Sequence, residues 1–179
     1  MKVVLDACVL FPTVLREILL GVAARGGYTP LWSARLLAEW QRAAARLGPE
    51  GEAVAAAEIA SLRAQWPQAE IDADPATEAR LWLPDPADAH VLASAISAGA
   101  AHIVTLNLRD FPVRLLTPEG VVAEAPDAFL MALWLDQPEI VDAAVKATQA
   151  RTEAASGREQ PLRPLLKRAK LPRLGKALG

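Results

Sequence analysis

At 179 residues, with 53% hydrophobic side chains, the chain has enough length for one globular domain with a sizeable core and room for a small appendage. Charges interrupt every apolar run before membrane-spanning length, and "MKVVLDACVL" reaches an acid too early for a secretory leader, so a cytoplasmic protein with no membrane contact is expected. One cysteine, Cys8, and two histidines exclude an internal disulfide and a Cys/His zinc cage, which leaves oxygen ligands for any metal.

The net charge of −2 hides an asymmetry. Residues 1–150 hold 11 Lys/Arg against 19 Asp/Glu, and residues 151–179 hold 8 against 2, so an acidic body (−8) carries a basic tail (+6). In chain order, "KVVLD" reads as a short buried parallel strand ending in an acid. A helix follows over residues 13–25 and stops at Gly26-Gly27. "YTPLW" predicts a second strand, which Pro30 weakens. Ser33 caps a helix running to about Leu47, and a helix over 50–66 ends at Pro67. Asp74-Pro75 opens one or two further helical turns. A helix over 86–98 precedes the strand "AHIVTLN", the loop "LRDFP", a short strand in "GVVAEA", and helices over 126–135 and 138–155. Alternating short strands and helices predict an α/β sandwich around a mostly parallel sheet.

The stretch "PDPADAHVLASAISAGA" poses a specific problem. Asp85 before Pro86 suits an N-cap, and Asp88 at the third helical position suits the helix dipole. Capping does not explain the phase. Asp88 lies three and four residues before Val91 and Leu92, on the same stripe as Ala95 and Ile96. A carboxylate there is costly unless something positive meets it.

In an open parallel sheet, ligands bind beyond the C-terminal strand ends. Asp6 ends the first strand, and Asn107 and Asp110 follow "HIVTL". Asp88 starts a helix whose N-terminus lies at the same rim, and Glu39 edges the stripe of Leu36, Leu37, Trp40 and Ala44. Four carboxylates gathered at one rim need a counter-charge, and an all-oxygen set suits Mg²⁺ or Mn²⁺. Such a cluster favours in-line attack on a phosphodiester.

"VVLDACVLFP…LREILL", "LWSARLLAEW", "PDPADAHVLASAI" and "IVTLNLRDFP", in this order, resemble the successive motifs of PIN-domain ribonucleases, with the nearest likeness to bacterial VapC-like toxins. The resemblance spans roughly residues 1–125; it implies a three-layer nuclease domain there, with residues 126–179 as a helical extension ending in the basic tail. It also implies a metal-dependent endoribonuclease, an RNA substrate, a cognate antitoxin and a homodimer. Asp6, Glu39, Asp88 and Asp110 fall on the family's acidic metal positions, with Asn107 alongside. Cys8 stands where the family often has Ser or Asn, which calls a supporting hydrogen bond into question, and Ala87 replaces a further Asp.

Other residues are weighed against plain structural roles. Arg16, His90 and Thr105 are candidates for contacts around the acids or substrate, with a solvated Arg and structural hydrogen bonds as the alternatives. Cys8 adjoins an acid that would raise its pKa, so a buried small residue is expected rather than a nucleophile. Trp32, Trp40, Trp66, Trp82 and Trp134 are assigned to core packing rather than base stacking. The tail carries Arg158, Arg163, Lys167, Arg168, Lys170, Arg173 and Lys176 between Leu165, Leu166, Leu171 and Leu174, too many leucines for pure disorder. Lys167, Arg168, Lys170 and Arg173 are the candidate nucleic-acid contacts, with docking on the acidic body, an antitoxin contact or a solvated terminal helix as the alternatives. Two other functions compete: a non-catalytic RNA-binding or regulatory module, and an aspartyl-nucleophile phosphohydrolase. The second wants an acid two residues after Asp6, where Cys8 stands.

Overall fold

A computed structural model describes residues 1–179. In chain order the elements are β1 (Lys2–Leu5), α1 (Ala7–Leu10), α2 (Thr13–Ala24), β2 (Thr29–Leu31), α3 (Ala34–Ala45), α4 (Pro49–Gln65), α5 (Pro75–Arg80), α6 (Ala89–Ala98), β3 (His102–Val104), α7 (Val113–Leu116), β4 (Val122–Glu124), α8 (Pro126–Asp136), α9 (Pro138–Ser156), α10 (Leu162–Arg168) and α11 (Pro172–Leu178). The chain forms two compact units, one from Met1–Phe11 and Thr29–Glu124, the other from Pro12–Tyr28 and Ala125–Gly179. The segment 12–28 thus belongs with the C-terminal helices, although in sequence it sits among the first 125 residues.

The first unit holds the expected α/β architecture, with a sheet that is parallel throughout, in the order β2-β1-β3-β4. Val3, Val4, Leu5, Ile103 and Val104 are fully buried, as strands covered on both faces require. Pro30 is tolerated because β2 is an edge strand, pairing within the sheet only with β1, so its missing N–H interrupts no inner ladder. Helix α6 packs on β1 and β3 with its apolar stripe buried. It stops at Gly99, whose φ of 63° admits the left-handed turn that a side chain would resist. Ser33 caps α3 by accepting from Leu36 N (3.2 Å), and Asp74 caps α5 through Ala76 N and Thr77 N, both as the sequence implies.

In the second unit, α2 packs on α9, and α8 meets both α9 and α11. The tail is folded. Leu165, Leu166, Leu171 and Leu174 are buried, and the Asp127 carboxylate accepts from Arg173 N (2.9 Å) and Leu174 N (3.0 Å), tying the start of α11 to α8. Trp32 and Trp40 are core residues, but Trp82 is 66% exposed, which corrects the assignment of all five tryptophans to packing.

Candidate active site

Strand order reverses direction about β1, so the crevice between the C-terminal ends of β1 and β3 is where an open sheet leaves room for a ligand. Asp6 sits there. Its backbone N donates to Val104 O (3.1 Å) and its carbonyl accepts from Val9 N and Leu10 N, which starts α1 without using the side chain. The buried carboxylate is therefore free to be held by other groups. Thr105 Oγ1 donates to Asp6 Oδ2 at 2.6 Å while accepting from Asn107 N at 3.0 Å.

Cys8 completes this clip. Its Sγ donates to Asp6 Oδ2 (3.2 Å) and accepts from Leu106 N (3.2 Å), bridging the ends of β1 and β3. Burial first, and the Asp6 charge second, push the thiol up to about 12, so it stays protonated as a donor at neutral pH. The supporting hydrogen bond that a Cys at this position called into question is present, made by sulfur. Cys8 is half-buried rather than buried, and its protonated state is inconsistent with a nucleophile.

Asp88 lies where a single 3₁₀ turn, Pro86–Asp88, passes into α6. Asp85 does the capping, accepting from Ala87 N at 2.9 Å; Asp88 makes no side-chain cap bond. Its Oδ2 is buried with no hydrogen-bond partner. Desolvation raises the carboxyl to about 6, reinforced by the charges of Asp6, Asp85, Asp110 and Glu39. Those mutual effects place the four expected acids, and Asp85 with them, in one electrostatic neighbourhood.

Glu39 projects from the second turn of α3, with Oε1 2.9 Å from Nε2 of the buried His90. This is a close polar contact rather than an aligned hydrogen bond, since neither ring nitrogen of His90 has a well-directed partner. Arg35 and Arg42 stand further off, at 3.8 and 3.9 Å from the same oxygen. Asp110 closes the 3₁₀ turn Leu108–Asp110, half-buried, with the exposed Arg109 Nε 3.8 Å away. Arg16 is buried on α2, in the second unit, so a solvated surface role does not describe it.

No three His, Cys, Asp or Glu side chains stand at the spacing of a finished ligand cage. The observed partners account for this: Asp6 turns to Thr105 and Cys8, and Glu39 turns to His90. Like charges hold apart unless a cation gathers them. The donor set nevertheless fits a hard divalent ion. Every acid offers oxygen, and the buried, unpartnered Asp88 Oδ2 is an atom whose desolvation nothing in the protein offsets.

A 60-residue stretch of the chain is 45% identical to the Mycobacterium tuberculosis protein named "Putative ribonuclease VapC50", covering 34% of this chain and 33% of that protein. The chain therefore spans about a third of the length of this curated relative. No solved structure matches. Residues 2–109, more than half of the chain and the part carrying Asp6, Glu39 and Asp88, match the PIN domain, and Asp110 follows immediately after the matched stretch. With its parallel sheet and its carboxylates at the strand ends, the chain belongs to the PIN domain family.

Proposed function

We propose that this chain is an Mg²⁺- or Mn²⁺-dependent endoribonuclease, the toxin of a toxin–antitoxin pair held in check by a cognate antitoxin protein. The observation that carries the reading is the buried Asp88 Oδ2, unpartnered among the charges of Asp6, Asp110 and Glu39. A protein with no use for a cation would gain stability by replacing this group. Family membership and the ribonuclease name of the mycobacterial relative support the same conclusion.

In this reading Asp6, Glu39, Asp88 and Asp110 hold the ion, which supplies charge neutralisation at the scissile phosphate and an activated water. The remaining work falls to the chain's own groups. Thr105 and Cys8 both engage Oδ2 of Asp6, which leaves its other oxygen for the ion, and His90 stands against Glu39 from the side of α6. Asn107 is a candidate contact around the acids or substrate. Residues 1–125 are the nuclease portion and 126–179 the extension; a homodimer is part of the proposal.

Incubating the protein with single-stranded RNA and Mn²⁺ or Mg²⁺, with EDTA and Asp6→Asn as controls, tests it. Cleavage that disappears in both controls is expected. RNA binding without cleavage would favour the non-catalytic module instead.

A further inference from the structure

The proposed nuclease faces an electrostatic difficulty of its own making. Residues 1–150 carry a balance of −8, and four carboxylates crowd the site, so a phosphate backbone approaching this protein is repelled. Attraction has to come from elsewhere on the chain.

The folded tail has what is required. Arg163, Lys167, Arg168, Lys170, Arg173 and Lys176 are all exposed, whereas the four leucines threaded between them are buried. Apolar and cationic residues are thus sorted onto opposite faces of α10 and α11. None of the six cations is ion-paired with a carboxylate; Arg168 makes a neutral contact, Nη2 to Gln160 Oε1 at 2.7 Å. Several arginines elsewhere are neutralised within the fold, Arg63 by Glu70, Arg80 by Glu119 and Arg151 by Glu17, whereas six cations without a carboxylate partner gather on these two short helices. The backbone fixes the display, because Asp127 pins α11 and Lys170 adopts a left-handed φ of 64° between the two helices.

We infer that the exposed face of α10 and α11 is a binding surface for the phosphate backbone of single-stranded RNA. This inference rests on the nuclease reading. An acidic protein would also be drawn to the charge, but stable protein interfaces centre on large apolar anchors, and here the leucines that could serve are packed inside. A run of exposed cations with no carboxylate partners and without such anchors suits a repeating polyanion read by charge.

The test uses the full chain with Arg163→Gln, Lys167→Gln, Lys170→Asn and Lys176→Gln combined, Asn being chosen for its tolerance of the left-handed conformation. Affinity for a fluorescent single-stranded RNA is measured in EDTA across a salt series. Each lost phosphate contact removes roughly 0.7 from the slope of log affinity against log salt, so a fall of up to about 3 is expected, with affinity lower by at least about tenfold near physiological salt. A control neutralising the exposed Arg46 and Lys146 should leave the slope in place. An unchanged slope in the quadruple variant, or an equal fall in the control, overturns the inference. So does weakened binding of poly-glutamate with RNA binding intact, which would assign the face to an acidic protein. Should the quadruple variant fail to fold, the pairs Arg163→Gln/Lys167→Gln and Lys170→Asn/Lys176→Gln are read separately, each expected to lose about half the effect. Because binding is measured without metal, the nuclease reading can fail in the cleavage assay while this surface stands, and the reverse also holds.

Discussion

Replacing Asp88 with Asn should make the metal-free protein more stable. In the native state the carboxyl is raised from its ordinary 3.8 to about 6, chiefly by desolvation and then by Asp6 and the other acids. Between those values the folded protein keeps a proton that the unfolded chain has released. Stability therefore falls as pH rises through that window, and the penalty is complete above it. A shift of about 2 units at about 1.4 kcal/mol each sets a ceiling near 3 kcal/mol. Asp88 is only half-buried, and screening by solvent and salt brings the expected gain to about 1–2 kcal/mol. For a chain of this size that is a rise in Tm of roughly 2–8 °C. Thermal unfolding followed by circular dichroism in EDTA, at about pH 7.5 and again near pH 4, measures it. The gain should be present at the higher pH and vanish at the lower. A variant that is less stable at pH 7.5 would mean that Asp88 is a structural cap after all. Equal stabilisation at both pH values would mean that charge is not the cause.

Asp85→Ser keeps a capping side chain for Ala87 N, so stability should change by no more than about 0.5 kcal/mol, and cleavage should suffer far less than in Asp88→Ser. For Cys8, Ser retains the donor to Asp6 and should preserve most of the cleavage rate, whereas Ala removes the clip and should lower it roughly tenfold with little change in Tm; equal rates in the two variants would remove Cys8 from the account. His90→Phe fills the space without the Nε2 contact to Glu39, and weaker Mn²⁺ binding is expected, checked by titration calorimetry. Asp127→Ala leaves two backbone N–H groups of α11 without their acceptor and should cost about 1–3 kcal/mol in urea unfolding, far more than any single tail cation.

Much of this architecture can be read locally. Ser33, Asp74 and Asp85 act on N–H groups two or three residues away, and Gly99 ends its helix by its own φ, so each announces itself in the sequence. The inward phase of Asp88 is similarly a matter of helical spacing. Cys8 is different: its partner Leu106 is 98 residues distant, and only the pairing of β1 with β3 brings the two together. Nothing near Cys8 announces that bond. The same holds for the segment 12–28, whose helix joins partners from beyond residue 125, and for the tail, whose anchor Asp127 lies 46 residues before Arg173. Trp82 departs from the expectation because a large aromatic side chain implies burial only on average: in this non-helical stretch the adjacent Leu83 is the side chain that enters the core, and Trp82 stays outside.

The central claim is that Asp6, Glu39, Asp88 and Asp110 hold one hard divalent site, and Mn²⁺ titration calorimetry tests it without relying on turnover. The wild-type chain should bind Mn²⁺ with a stoichiometry of at least one, releasing protons near pH 6 as Asp88 ionises, and Asp6→Asn and Asp88→Asn should each lose that binding while remaining folded. Mn²⁺ binding that persists unchanged in both variants, or that is absent from the wild-type protein, would contradict it.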